Sequence, residues 1–127
     1  MIELNPNSGE GYYARSEAYG KSNKLTEALA DINKAIEFSS DNGQAYNNRG
    51  IIYSMGGKFQ EAVNDFTKSL ELKPDNLGAY TNRALAYKGL GEYDKALEDM
   101  GAAKKKGIAV DENTINELKA ALNAKGG

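Results

Sequence analysis

The chain has 127 residues with no cysteine, no histidine, no tryptophan and only two prolines. Without cysteine there are neither disulfides nor thiolate metal sites, and this absence does not choose between cytoplasm and periplasm. The missing histidine excludes more, because Ser-His-Asp and Cys-His nucleophilic sites and the usual zinc ligand sets go with it. Catalysis would have to rest on carboxylates, lysines or tyrosines, and these form no coherent site in the sequence. The reading is therefore of a protein that is not an enzyme and takes no cofactor or metal. No apolar run approaches a membrane span, and the N-terminus lacks the basic-then-apolar layout of a secretory signal, so a soluble chain without direct membrane insertion is expected. Lys and Arg number 16 and Asp and Glu 18, for a net charge of −2 with both signs mixed throughout. That balance lacks the basic footprint of a nucleic-acid binder. Lys104, Lys105 and Lys106 form the single basic run, read as cations at a helix C-terminus, where the macrodipole favours them.

What the chain does have is a period. Tyr12, Tyr46 and Tyr80 are evenly spaced, and the same interval separates Arg15, Arg49 and Arg83; Tyr19, Tyr53 and Tyr87; Ala28, Ala62 and Ala96; and Asp31, Asp65 and Asp99. By length this is one domain, and the repeat replaces a single core by stacked local ones. Three units follow at 9–42, 43–76 and 77–110, preceded by a lead-in at 1–8 and followed by a tail at 111–127. The lead-in Ile2-Glu3-Leu4-Asn5-Pro6-Asn7 copies Leu70-Glu71-Leu72-Lys73-Pro74-Asp75, which reads as the last turn of a preceding repeat.

Each unit reads as two helices. In the first, Tyr12, Ser16 and Tyr19 recur at helical steps from Gly9 to Lys21, and a second helix from about Lys24 to Phe38 turns Leu25, Ala28, Leu29, Ile32, Ala35 and Ile36 inward. The next pairs are expected at about Gln44–Met55 with Phe59–Leu72, and Ala79–Leu90 with Tyr93–Lys106. Asn23, Gly57 and Gly91 share the turn slot, where a left-handed backbone suits Asn and Gly. A seventh helix is expected from Asp111 to Ala124. Asp111 is its N-cap, Val110 and Ile115 form a hydrophobic staple, and its polar outer face is that of a cap. Arg15, Arg49 and Arg83 each precede an aspartate at one fixed spacing, and these pairs are expected as structural bridges between helices rather than as catalytic carboxylates.

The pattern Tyr46-x2-Arg49-Gly50-x2-Tyr53, then Ala62-x3-Phe66 and Pro74, resembles the tetratricopeptide repeat. The first copy departs from it with Ser16, Ile32 and Ser40 at the small, large and helix-ending slots, and the third with Met100 and Ile108. The resemblance implies an all-α fold: a right-handed α-solenoid, or superhelix, of antiparallel helix pairs whose first helices line a concave groove that takes peptides or protein segments. Carried over slot by slot, the groove would comprise Tyr13, Ala14, Glu17 and Lys21; Asn47, Asn48, Ile51, Ser54 and Met55; and Thr81, Asn82, Leu85 and Lys88.

Asn48 and Asn82 lie one repeat apart, and an amide offers a peptide backbone both donor and acceptor. Ile51, Met55 and Leu85 would supply apolar area. Family members that grip a C-terminal carboxylate use lysine, asparagine and arginine at groove slots. The asparagine element matches, but Ala14 and Glu17 occupy first-copy slots and Ala86 stands where an arginine would, so that class of ligand is disfavoured. The expected function is a protein-interaction scaffold for a protein or peptide partner. The alternatives are a self-assembling protomer (a homo-oligomer through the N-terminal end) and a regulatory segment of a larger protein.

Overall fold

A repeat of this kind can close only if the chain reverses sharply after each first helix. The computed structural model, which describes residues 9–126, places those reversals at Asn23, Gly57 and Gly91, with φ of 60°, 78° and 78°. A left-handed residue lets the next amide turn back to a carbonyl five positions earlier, satisfying an orphan acceptor. The three copies make the same bond: Lys24 N–H to Tyr19 C=O at 2.8 Å, Lys58 to Tyr53 at 2.8 Å and Glu92 to Tyr87 at 2.9 Å. The resulting elements are α1 (Gly9–Lys21), α2 (Leu25–Phe38), α3 (Gly43–Met55), α4 (Phe59–Leu72), α5 (Gly78–Gly89), α6 (Tyr93–Lys105) and α7 (Glu112–Gly126). All are helices, and no strand occurs among the described residues. The expected boundaries hold to within two residues. The lead-in at 1–8, read as the remnant of a repeat, lies outside the described residues.

Within each pair, close approach depends on small side chains. Ala28, Ala62 and Ala96 are fully buried where the second helix meets the first. A second slot, on the first helix, is tuned in size against its partner. Gly50 lies so close to the Phe66 ring that a Cβ there would stand 2.6–2.9 Å from three ring carbons. In the other copies the residue opposite is smaller or more pliable, and the slot is filled: Ser16 with Ile32, and Ala84 with Met100. Ser16 satisfies its buried hydroxyl by donating to Ala28 C=O at 2.9 Å. Packing at interior density fixes such pairs together rather than residue by residue.

The three arginines fork onto the three aspartates as expected, Nε and Nη2 each meeting one carboxylate oxygen at 2.6–2.8 Å. The hydrogen bond to aspartate, ahead of the opposing effect of burial, holds the Arg49 and Arg83 guanidiniums above their ordinary pKa. Each guanidinium also lies between two tyrosine rings of its own helix, for example 5.4 Å from Tyr46 and 5.9 Å from Tyr53. The third nitrogen joins neighbouring units. Arg49 Nη1 donates to Asn33 at 3.0 Å and Arg83 Nη1 to Thr67 at 3.1 Å, both on the second helix of the preceding pair. One side chain therefore sets both the angle within a repeat and the register between repeats.

Sequential helices pack on one another from α1 to α7, and first helices of successive pairs also touch, α1 on α3 and α3 on α5. The stack is an all-α solenoid whose first helices form one continuous face. At its far end α7 begins as expected: Asp111 accepts from Asn113 N–H at 3.0 Å and from the Thr114 hydroxyl at 3.1 Å. Val110 and Ile115 pack against the cluster of Ala84, Ala96, Met100 and Leu118. Lys104, in the basic run, meets Glu112 at 2.8 Å, tying the end of α6 to the start of α7. No helix among the described residues is long and apolar enough to cross a membrane.

Candidate binding groove

Between α1 and α3 the first-helix face opens into a cleft of about 450 Å³, lined by Ser16, Glu17, Gly20, Lys21, Gln44, Asn48, Ile51, Ile52 and Met55. It exists because the residues facing each other across the two helices are small on one side and apolar on the other. Gly20 and Ser16 contribute little bulk on α1, while Ile51 and Met55, one helical turn apart on α3, stand 37% and 47% exposed. Exposed apolar groups beside a concavity are the usual ingredients of a recognition surface.

One wall of the cleft is polar and internally bonded. Gln44 donates to the Asn48 side-chain oxygen at 3.2 Å, and the Asn48 side-chain amide donates to Glu17 at 3.4 Å across the helix gap. The Tyr13 phenol is drawn into the same cluster. Burial first, and then the charge of Glu17, pushes its pKa above the ordinary tyrosine value, against the lowering effect of hydrogen bonds with Asn48 and Gln44. An amide has two N–H donors and two acceptor lone pairs; with Glu17 and Tyr13 drawing on the donors and Gln44 on the oxygen, Asn48 keeps one acceptor lone pair for a ligand.

The predicted groove residues do not all meet at the cleft. Glu17, Lys21, Asn48, Ile51 and Met55 converge on the cleft, with Tyr13 beside it. Asn47 does not belong to the surface: it is 6% exposed, and its side-chain oxygen accepts from Asn82 at 3.3 Å. Its groove slot suggested a ligand contact, but α3 turns this position toward α5, where its side-chain oxygen accepts from the half-buried Asn82 instead. Asn82 is consequently half-buried and already bonded. Thr81 donates to Gly78 C=O of its own helix at 3.0 Å, and Lys88 faces Glu117 of α7 at 3.5 Å. Leu85, 51% exposed, lies on the same face but outside the cleft. Ala14 is half-buried, and the Ser54 hydroxyl is buried without a hydrogen-bond partner among the described residues.

Sequence reasoning missed Gln44, whose signal was its place one turn before Asn48 on a helix. The aspartates considered as catalytic candidates have both carboxylate oxygens engaged by arginine. No group of three or more Asp or Glu side chains among the described residues is arranged to hold a metal ion.

Known proteins share this geometry. Sequence descriptions of the tetratricopeptide repeat match residues 9–42, 43–76 and 66–98. No curated protein matches the chain by sequence. Among solved structures, the first such domain of human RPAP3 superposes with a TM-score of 0.88 at 22% identity, covering 96% of this chain and 98% of that one. The first such domain of Spaghetti (RPAP3), solved bound to the HSP90 peptide SRMEEVD, gives 0.83 at 23% identity with both chains fully covered. The Arabidopsis OM64 domain gives 0.84 at 24%, covering 88% and 94%. With three matches that together span residues 9–98 and a solenoid of the same shape, this chain belongs to the tetratricopeptide repeat family.

Proposed function

We propose that the protein is an interaction module that binds an extended segment of another protein along the face formed by α1, α3 and α5. The observation that carries this is the cleft between α1 and α3, where the exposed Ile51 and Met55 adjoin the amide of Asn48. Apolar side chains of the segment bury against Ile51, Met55 and Leu85, while Asn48 and Asn82 bond its backbone. On this reading residues 9–42, 43–76 and 77–110 are the three repeats, and 111–127 is the closing helix with its tail.

The Spaghetti domain shows that a solenoid of this shape can hold a peptide. That peptide, SRMEEVD, is acidic. Here the first-helix face carries Glu17 and Ala14 on α1, and Lys88 is engaged by Glu117. An internal segment suits this surface better than an acidic chain end.

A displayed random-peptide library selected on the intact protein tests the reading, beside a quadruple variant (Asn48→Ala, Ile51→Asp, Asn82→Ala, Leu85→Asp) shown to be helical by circular dichroism. Peptides enriched on the first and lost on the second are the expected result. Enrichment equal on both would move binding off this face.

A further inference from the structure

The period of the three repeats does not stop at α6. Leu118 continues the evenly spaced series Ser16, Gly50 and Ala84 by one further repeat length. It is buried as they are, but against the preceding pair, sharing a core cluster with Ala84 and Met100, whereas Ser16, Gly50 and Ala84 face the second helix of their own pair. Helix α7 packs on α6 as α3 packs on α2 and α5 on α4. It therefore occupies the place of a fourth first helix. Its aromatic slots lapse to Thr114 and Ala121, and at the arginine slot Glu117 stands one repeat beyond Arg83 and pairs with Lys88 of α5 instead of with an aspartate behind it. Where Asn33 and Thr67 receive the next unit's arginine, the corresponding residue on α6 is Gly101, which offers no acceptor.

If α7 is a first helix, its exposed face extends the groove. The slot after the buried one reads Glu17, Ile51, Leu85 and Lys119 on α1, α3, α5 and α7, and all four side chains are exposed. Neither Glu17 nor Lys119 takes part in any of the ion pairs found among the described residues. The asparagine slot continues likewise, with an exposed Asn116 one repeat beyond Asn82. One row thus runs from an anion through two apolar groups to a cation.

Building on the groove reading above, we infer that α7 is its fourth wall, and that the groove selects an extended peptide with a basic residue for Glu17, two apolar residues for Ile51 and Leu85, and an acidic residue for Lys119. Adjacent helices lie about 8–10 Å apart and an extended chain advances about 3.3 Å per residue, so successive side chains of the row face residues about three apart in the peptide. The ligand is a segment of about ten residues with opposite charges at its two ends. Complementary charge of this kind selects among partners and fixes register.

Three labelled ten-residue peptides, each with leucine at positions 4 and 7 and serine elsewhere, test this by fluorescence polarisation on the full chain. One carries Arg and Asp at its ends, one Asp at both and one Arg at both. The mixed peptide is expected to bind about fivefold more tightly than either uniform one, a margin set by exposed ion pairs and shrinking at high salt. Lys119→Glu shifts the preference to the Arg-ended peptide and Glu17→Lys to the Asp-ended one, whichever way the peptide runs. Equal binding of all three, lost on Leu85→Asp but indifferent to both charge reversals, overturns the role of α7 and leaves the groove reading standing. Tightest binding of the Asp-ended peptide to the unmodified chain overturns it in favour of an acidic ligand. Binding of none of the three also overturns it, while the library selection decides the groove independently.

Discussion

Replacing Gly50 by alanine separates two effects that oppose each other. In the middle of a helix, alanine is favoured over glycine by about 1 kcal/mol. At position 50 the added methyl would enter the Phe66 ring, with three carbons at 2.6–2.9 Å, and Phe66 is 1% exposed and has nowhere to swing. Overpacking of that kind costs about 1–3 kcal/mol. The net expectation is a loss of about 1 kcal/mol, or a melting temperature lower by about 4 °C for a domain of this size. Gly101, in α6, is the control: a Cβ there meets nothing within 4 Å, so Gly101→Ala should stabilise by about 0.5–1 kcal/mol. The third repeat supplies the rescue, since it already pairs alanine with methionine at these slots. Phe66→Met alone leaves unfilled space and costs about 1–2 kcal/mol, but Gly50→Ala with Phe66→Met should cost less than the sum by about 1 kcal/mol or more. Urea unfolding followed by circular dichroism measures all four proteins. A Gly50→Ala protein stabilised as much as Gly101→Ala, or additive losses in the pair, would refute the steric argument.

Other consequences can be checked with the same instruments. Leu118→Ala should cost about 2–4 kcal/mol in urea unfolding, because Leu118 is 1% exposed and belongs to the third core cluster, while Lys119→Ala beside it should change stability by less than about 0.5 kcal/mol. Gly57→Ala should lose about 1 kcal/mol at its φ of 78°, whereas Gly57→Asn should be nearly neutral, since Asn23 already holds the equivalent turn. Ultraviolet absorbance titration should show one phenol ionising above the ordinary tyrosine range and missing in Tyr13→Phe. Because the folded pKa of Tyr13 is raised, its contribution to stability is complete below about pH 10 and is lost as pH climbs from there through the folded value, so the substitution should flatten the alkaline decline.

The helices, their turns and the arginine–aspartate bridges were legible in the sequence because each recurs three times at one spacing, and a period needs no knowledge of side-chain direction. Asn23 and its glycine equivalents announced a left-handed residue by type alone. What was not legible depended on facing. Asn47 and Asn48 are neighbours of the same type, yet one is buried against Asn82 and the other meets Glu17 and Gln44; only the rotation of α3 relative to α5 separates them. The reach of Arg49 to Asn33 and of Arg83 to Thr67 was likewise hidden, because Asn33 and Thr67 differ in type and share only the ability to accept a hydrogen bond. The terminal helix reads as a cap from its polar face, but that face alone does not show which core Leu118 enters, the third cluster with Ala84, Ala96 and Met100.

The arginine that joins one pair of helices to the preceding pair has a consequence for construction. Residues 43–76 carry both halves of that joint: Arg49, which reaches back, and Thr67, which receives. A gene that copies this segment in tandem would give every new junction the donor and acceptor that α4 and α5 now share, together with the glycine–phenylalanine fit inside each copy. Such an array could be lengthened one brick at a time, its twist inherited rather than designed. Residues 77–110 would not tile in the same way, because Gly101 leaves the following arginine without a hydroxyl or amide to hold.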